Sequence, residues 1–161
     1  MRVILQKVTG GAVRVEGEII GAVGAGYVAL VGITHSDTLA DAEFLAKRTA
    51  VLRVFEDAAG KMNLSILDVG GGVLAISQFT LYADTTGGRR PSFIQAARPE
   101  QALPIFEHYV ARLRTEGIGR VETGRFGTMM TVEIHNDGPV TITLDTADFK
   151  KSEQTSSTTT P

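Results

Sequence analysis

The stretch Asn136-Asp137-Gly138-Pro139-Val140-Thr141 places a Gly-Pro pair between two runs that both predict β-strands. Proline has no N–H to donate to a sheet, so at this position it indicates a sheet edge, a bulge or a tight turn. Taken alone, these residues favour a hairpin turn between strands around 128–135 and 140–144. The X-Pro bond is also the place where a cis peptide costs little, about 0.5–1 kcal/mol. A Gly-Pro corner can therefore present its backbone carbonyls as a fixed surface.

The rest of the chain predicts an α+β domain. Apolar alternation over residues 3–33 indicates three or four short antiparallel strands. Apolar residues spaced by three or four predict a helix over residues 39–52 and a second helix from Pro99 to Gly117. A further strand is predicted over Val73–Leu81. We therefore expect an antiparallel or mixed, barrel-like β-sheet with two or three flanking helices.

Length and composition indicate one domain followed by a tail. A chain of 161 residues can bury a substantial core. We place the domain at residues 1–146 and predict that residues 147–161, which lack apolar periodicity, form a disordered C-terminal tail. The absence of cysteine excludes disulfides and thiolate chemistry and fits a cytoplasmic location. The apolar run at the N-terminus is too short for a signal or membrane segment, so we expect no membrane partner.

Charge is unevenly distributed along the chain. The formal net charge of −2 argues against a generic nucleic-acid binder. Residues 85–125, however, contain seven arginines and four glutamates, whereas the chain is net −2 before this segment and net −3 after it. Either these arginines are ordinary solvated side chains, or they form one local basic surface.

The usual catalytic groups are not recognisable in the sequence. The histidines have no metal-ligand spacing, so we predict no metal site and no cofactor. A triad of Ser77, His135 and Asp84 is conceivable, but no GxSxG motif supports it.

Polar residues interrupt the predicted strand Val73–Leu81 instead. Burying Ser77, Gln78 or Thr80 without partners would cost about 1–3 kcal/mol each, so either the fold satisfies them or they line a polar pocket. The following loop, Tyr82–Phe93, carries two arginines and an aromatic residue. Such a loop beside a pocket suits a phosphate-bearing ligand.

Six segments in the correct order resemble the D-aminoacyl-tRNA deacylase family, and the resemblance extends from Met1 to about Thr146. The segments are Met1 to Val8, Gly60 to Ser65, Ser77 to Leu81, Gly88 to Phe93, Gly124 to Gly127 and Asn136 to Thr141.

This resemblance implies a homodimeric editing hydrolase that cleaves the ester joining a D-amino acid, or misattached glycine, to the 3′ end of tRNA. In the family the Gly-Pro pair is cis and enters the active site of the partner subunit, where it rejects L-aminoacyl-tRNA. By resemblance, Gly138 and Pro139 complete a pocket in the other subunit. The catalytic residues of that pocket are Ser77, Gln78, Phe79 and Thr80.

The resemblance also assigns the nucleotide end of the substrate. The terminal adenosine is implied to bind near Phe126 and Met130. Two positions depart from the family pattern. Lys7 stands where the family usually has an arginine that helps to hold the Gly-Pro pair, and lysine cannot make the same forked contact. Met129 stands where the family usually has an acidic residue.

From the residues themselves, two catalytic mechanisms and one non-catalytic function remain open. Thr80 could act as a nucleophile, although no histidine or lysine is evident to activate it. Alternatively, the 2′-hydroxyl of the substrate assists attack by water, while backbone N–H groups around Phe79 and Thr80 stabilise the oxyanion. We favour this second mechanism because the sequence offers no base. In the remaining alternative, the protein is a non-catalytic tRNA-binding module.

Overall fold

The computed structural model describes residues 1–150, which form one mixed sheet, a small hairpin, two long α-helices and a short helical segment over residues 146–150. A 3₁₀ helix, Phe79–Tyr82, follows the strand that ends at Ser77; we call it the 3₁₀ turn. The strands are β1 (Arg2–Val15), β2 (Glu18–Val23), β3 (Gly26–Gly32), β4 (Phe55–Glu56), β5 (Met62–Leu64), β6 (Gly72–Ser77), β7 (Val121–Thr123) and β8 (Thr131–Asp145), and the helices are α1 (Leu39–Val51) and α2 (Pro99–Thr115).

The sheet is organised around the long strand β1. On one side β1 pairs antiparallel with β8 along almost its whole length. On the other side its first half pairs with β3 and its second half with β2. Strands β6 and β7 extend the sheet in parallel from β3. Because β2 comes back beside β7, with only 2.8 Å between the Thr123 carbonyl oxygen and a Cβ built at Gly21, the sheet is nearly closed into a barrel.

Side chains alternate across this sheet and create two cores, as the period of two in a strand requires. Tyr27, Ala29 and Val31 of β3 face the helices and belong to the larger core. Val28 of β3 and Leu74 of β6 point to the opposite face, where a smaller core fills the barrel. The prediction of a mixed, barrel-like sheet is confirmed.

The two helices pack on each other over the outer face of the sheet. Apolar residues at spacings of three and four put one stripe of each helix into the larger core. Thr38 caps α1 together with the side chain of Asp41, and Pro99 begins α2 at the first helical position. No helix in residues 1–150 is long and apolar enough to cross a membrane.

Two sequence expectations are wrong, one about where a strand ends and one about where the tail begins. The predicted strand Val73–Leu81 ends at Ser77, and the chain continues into the 3₁₀ turn. The segment 146–150, most of which was assigned to the tail, is helical, and Phe149 packs edge-on against Phe44 with ring centroids 5.0 Å apart. The remainder of the predicted tail, residues 151–161, lies outside the described residues.

The Gly-Pro pair does not form a hairpin turn. Strand β8 runs through it in one direction, because Asn136 is opposite Val8 and Thr141 is opposite Gln6 on the same strand β1. Residues 137–140 therefore oppose Lys7 alone and form a bulge, which we call the Gly-Pro bulge. Within residues 1–150, β8 pairs with no strand other than β1, so the bulge stands on a free sheet edge.

Candidate active site

A cavity of about 720 Å³ opens where β6 ends. It contains six of the residues that the sequence singled out, and these come from two places in the chain: Ser77, Gln78, Phe79 and Thr80 from the end of β6 and the 3₁₀ turn, and Phe126 and Met130 from the segment between β7 and β8.

The entry into the 3₁₀ turn is fixed by the backbone. The N–H of Gln78 donates to the Val31 carbonyl of β3 at 2.7 Å, which prolongs the parallel pairing by one residue. The Gln78 side-chain amide donates to the Thr80 hydroxyl. Within residues 1–150, the N–H groups of Phe79 and Thr80 have no hydrogen-bond partner, as is usual at the start of a helical turn. Two donors are thus available at the cavity.

Apart from this entrance and Thr128, the residues that line the cavity are apolar. Phe126 packs in a tilted geometry on Phe106 of α2, with ring centroids 6.2 Å apart. Phe79 and Phe93 meet edge to face at 5.0 Å. Sequence reasoning missed the wall that comes from α2 and the loop before it; Phe93 belonged to a recognised segment, but nothing marked Ala96, Ala97, Pro99 or Ala102.

The described lining of the cavity includes no histidine, lysine, arginine, aspartate or glutamate. His135, a member of the conceivable triad, lies on β8 opposite Gly10. Asp84 is held in the loop by Ser92 and by Thr86, whose hydrogen bonds lower the pKa of the Asp84 carboxyl. Neither side chain is part of the lining around Ser77, so the triad is not assembled. Within residues 1–150, no group of three potential ligands could hold a metal ion.

Basic residues flank the cavity at two points. Arg98 stands between the lining residues Ala97 and Pro99, and Arg125 immediately precedes Phe126. Both arginines are exposed, and no acidic partner within residues 1–150 forms an ion pair with them. The mouth of the cavity can therefore attract an anionic ligand.

Gly138, Pro139 and Lys7 lie elsewhere. The Gly138-Pro139 bond is cis, and both residues are exposed at the crest of the bulge. The Lys7 ammonium lies 3.1 Å from the Asp137 carboxylate, and the Asn136 amide donates to the Lys7 carbonyl at 2.8 Å. Lys7 thus contacts the bulge through its ammonium group, and Asn136 adds a second connection to the same residue.

The bulge is remote from the cavity of its own subunit. Ser77 pairs with Val31 of β3, and Val31 in turn pairs with Val3 of β1. The bulge lies on the other side of β1, opposite Lys7. Spacings of about 4.8 Å between strands and about 3.4 Å along them put Gly138 roughly 20 Å from Ser77. One chain therefore does not bring together all the predicted site residues.

Comparison with known proteins gives a consistent result. The family described as D-Tyr-tRNA(Tyr) deacylase matches residues 4–145. A D-aminoacyl-tRNA deacylase of Geobacillus sp. (strain WCH70) is 57% identical over 145 residues, which are 90% of this chain and 95% of that protein. The D-aminoacyl-tRNA deacylase of Thermus aquaticus is 55% identical over 148 residues, or 92% of this chain and 97% of the relative.

Solved structures have the same architecture. The c-Myc DNA unwinding element binding protein superposes with a TM-score of 0.84 at 39% identity and covers 90% of this chain and 98% of its own. A probable eukaryotic D-amino acid tRNA deacylase superposes with a TM-score of 0.78 at 16% identity, over 89% of this chain and 98% of that one, and at this identity the likeness concerns the fold alone. From the family match and the identity to its relatives, this chain belongs to the D-aminoacyl-tRNA deacylase family.

Proposed function

We propose that the protein hydrolyses the ester between a D-amino acid and the 3′ end of tRNA in the cytoplasm, and that it also removes misattached glycine. The observation that carries the proposal is the single cavity that combines the Ser77–Thr80 segment with Phe126 and Met130. Aromatic and thioether walls suit a nucleobase, and the polar entrance suits an ester. Arg98 and Arg125, which are exposed next to lining residues of the cavity, would bind the phosphates of the tRNA end.

The active unit in this proposal is a homodimer. Because Gly138 lies roughly 20 Å from Ser77 of its own subunit, the bulge can reach a cavity only in another copy. The free edge of β8 leaves the bulge accessible to such a partner. The protein should therefore lose activity as the dimer dissociates, and deacylation rates measured over a dilution series, with the dimer fraction from sedimentation, test this. Full activity of a monomer would refute it.

Selectivity in the proposed site works by exclusion. A wall made of backbone atoms has no side-chain rotamer through which to yield, so it can reject the L-substituent of every amino acid alike. Glycine has no side chain to clash with the wall, which is why we include glycyl-tRNA among the substrates. Gly138 suits this role because it has a φ of +110°, where other residues are strained.

The decisive assay compares deacylation of tRNA charged with D-tyrosine and with L-tyrosine. The wild type should hydrolyse only the D-form. Pro139→Ala should raise the rate on the L-form at least about tenfold. This factor corresponds to a fall of about 1.4 kcal/mol in the activation free energy. Thr143→Ala, an exposed position on the same strand away from the bulge, is the matched control and should leave selectivity unchanged. A protein that binds both tRNAs and hydrolyses neither would be a binding module.

Catalysis in this proposal uses the substrate itself. The described lining has no titratable side chain to act as a base, so the 2′-hydroxyl of the terminal ribose assists the attack of water on the adjacent ester. The N–H groups of Phe79 and Thr80, which have no hydrogen-bond partner within residues 1–150, stabilise the developing oxyanion.

One variant and one modified substrate distinguish this mechanism from that of a threonine esterase. Thr80→Ala should retain activity within about tenfold, whereas a substrate ending in 2′-deoxyadenosine should lose about a hundredfold or more. If Thr80 is instead the nucleophile, the variant loses activity and a covalent acyl-enzyme appears by mass spectrometry after mixing with substrate.

A further inference from the structure

Arg2, at the start of β1, contacts the far end of the 3₁₀ turn. Its Nη1 donates to the Leu81 carbonyl at 2.8 Å, and its guanidinium lies 5.1 Å from the centre of the Tyr82 ring. Its Nε and Nη2 each lie 2.8 Å from Oδ2 of Asp145, the residue opposite Arg2 on β8. One side chain thus connects strands β1 and β8 to the last two residues of the turn.

The 3₁₀ turn has little else to hold it. None of its four residues is fully buried, and Phe79 is 58% exposed. Its internal hydrogen bonds include the Leu81 N–H to the Gln78 carbonyl at 3.2 Å. On the other side it packs closely on Gly32, where an added Cβ would come within 2.9 Å of Leu81 Cβ. A segment without core side chains depends on such individual contacts for its orientation.

We propose that Arg2 is a positioning residue for catalysis: by holding Leu81 and Tyr82 it fixes the orientation of Gln78, Phe79 and Thr80 in the cavity. The inference rests on the proposed function of that cavity. A planar guanidinium suits the task because its fork can bind the Asp145 carboxylate while another N–H binds a carbonyl. A cation is also favourable beside the free carbonyls at the end of a helical turn.

Arg14 offers a matched control on the same strand. It also pairs across to β8, with its Nε 2.7 Å from the Glu133 carboxylate, and its side chain is 37% exposed, as is that of Arg2. Neither Arg14 nor Glu133 lines the cavity, and the second contact of Arg14 is to the Gly17 carbonyl. The two arginines therefore differ in their contact with the 3₁₀ turn.

The test uses the full chain and deacylation of D-tyrosyl-tRNA, with kcat and KM determined separately. Arg2→Met should lower kcat at least about tenfold with KM within about threefold, because a small misplacement of catalytic groups acts on the transition state. Arg14→Met should keep both constants within about twofold. Arg2→Lys retains the charge opposite Asp145 but not the fork; it should fold normally and still lose kcat several-fold.

A second readout does not depend on activity. Amide hydrogen exchange of Leu81 and Ala83, whose N–H groups close the turn, should become about tenfold faster in Arg2→Met and stay unchanged in Arg14→Met. The proposal is overturned if Arg2→Met behaves as Arg14→Met in kcat and exchange, or if Arg2→Lys keeps the full rate. Failure of the wild type to deacylate would instead refute the proposed function, and the exchange data would still report on Arg2.

Discussion

Substituting Gly124 by alanine should alter the cavity without altering the backbone. Gly124 follows β7, and its N–H lies 3.4 Å from the Ala75 carbonyl oxygen. An added Cβ would lie 2.4 Å from Sδ of Met130 and 3.3 Å from Cδ1 of Ile76. Ordinary contacts of this kind begin at about 3.5 Å, so the sulfur must move by roughly 1 Å.

The cost in stability should be small. The atom in the way is near the end of an unbranched side chain with several rotamers, and methionine adapts to such changes more readily than other apolar residues. Overpacking typically costs about 1–3 kcal/mol, and loss of a glycine from the unfolded chain returns about 0.4–1 kcal/mol. We therefore expect the free energy of unfolding to fall by no more than about 1–2 kcal/mol.

The same substitution should also weaken substrate binding. Met130 is half-buried and lines the cavity where we propose the terminal adenosine binds, so the displaced side chain takes up part of that space. Loss of about 1–2 kcal/mol of binding corresponds to a rise in KM of about 5- to 30-fold. The kcat should change less than about threefold, because Met130 is proposed to contact the adenosine and not the reacting ester.

The measurement is steady-state deacylation of D-tyrosyl-tRNA, together with urea unfolding of the same preparation. Gly119→Ala is the control, since an added Cβ there has no neighbour within 4 Å. An unchanged KM in Gly124→Ala would refute the assignment of Met130 to the adenosine site. A fall in kcat at constant KM would refute it too, because Met130 would then affect the chemical step and not the binding of the adenosine.

Two further predictions concern the stability of the fold. Tyr109→Phe removes the buried hydroxyl that lies 3.0 Å from the Thr49 hydroxyl and should lower the free energy of unfolding by about 1 kcal/mol in urea titrations. For Asp41, burial raises the carboxyl pKa, but hydrogen bonds from Lys150 and Thr38 lower it overall. The ionised form is thus favoured in the folded state, so its stabilisation is present above the ordinary pKa and is lost as the pH falls. Asp41→Asn should flatten the acid side of a stability–pH curve.

The elements that were predicted correctly are those set by local pattern. The alternation in β3 and β6 and the helical spacing from Pro99 onward each depend on which side chains face the core, and this is visible in a single chain. The end of β6 was not visible in this way. The residues after Ser77 are still strand-forming in type, and the strand stops because its parallel partner β3 ends near Val31.

The Gly-Pro bulge is a case in which local chemistry is the same for two structures. A hairpin turn and a bulge can each contain a residue with a positive φ, which glycine adopts easily, and a residue without a backbone N–H donor, such as proline. The Gly-Pro pair therefore suits either structure. Only the pairing of both flanking segments with one strand, β1, decides for the bulge. That information is spread over more than 130 residues of sequence separation between Gln6 and Thr141. Arg2 was missed for a related reason, since its contacts are with Leu81 and Asp145.

The absence of titratable side chains from the described lining of the cavity also explains why the search for catalytic motifs fails in the sequence. Every residue type has a backbone carbonyl and every type except proline has a backbone N–H, so no side-chain pattern marks the groups that act at the 3₁₀ turn and the Gly-Pro bulge. Their positions are instead fixed by neighbours, by Arg2 and Gly32 at the turn and by Asn136 at the bulge. In an enzyme of this kind, substitutions of the supporting residues should impair catalysis more than substitution of Thr80, which lies in the cavity itself.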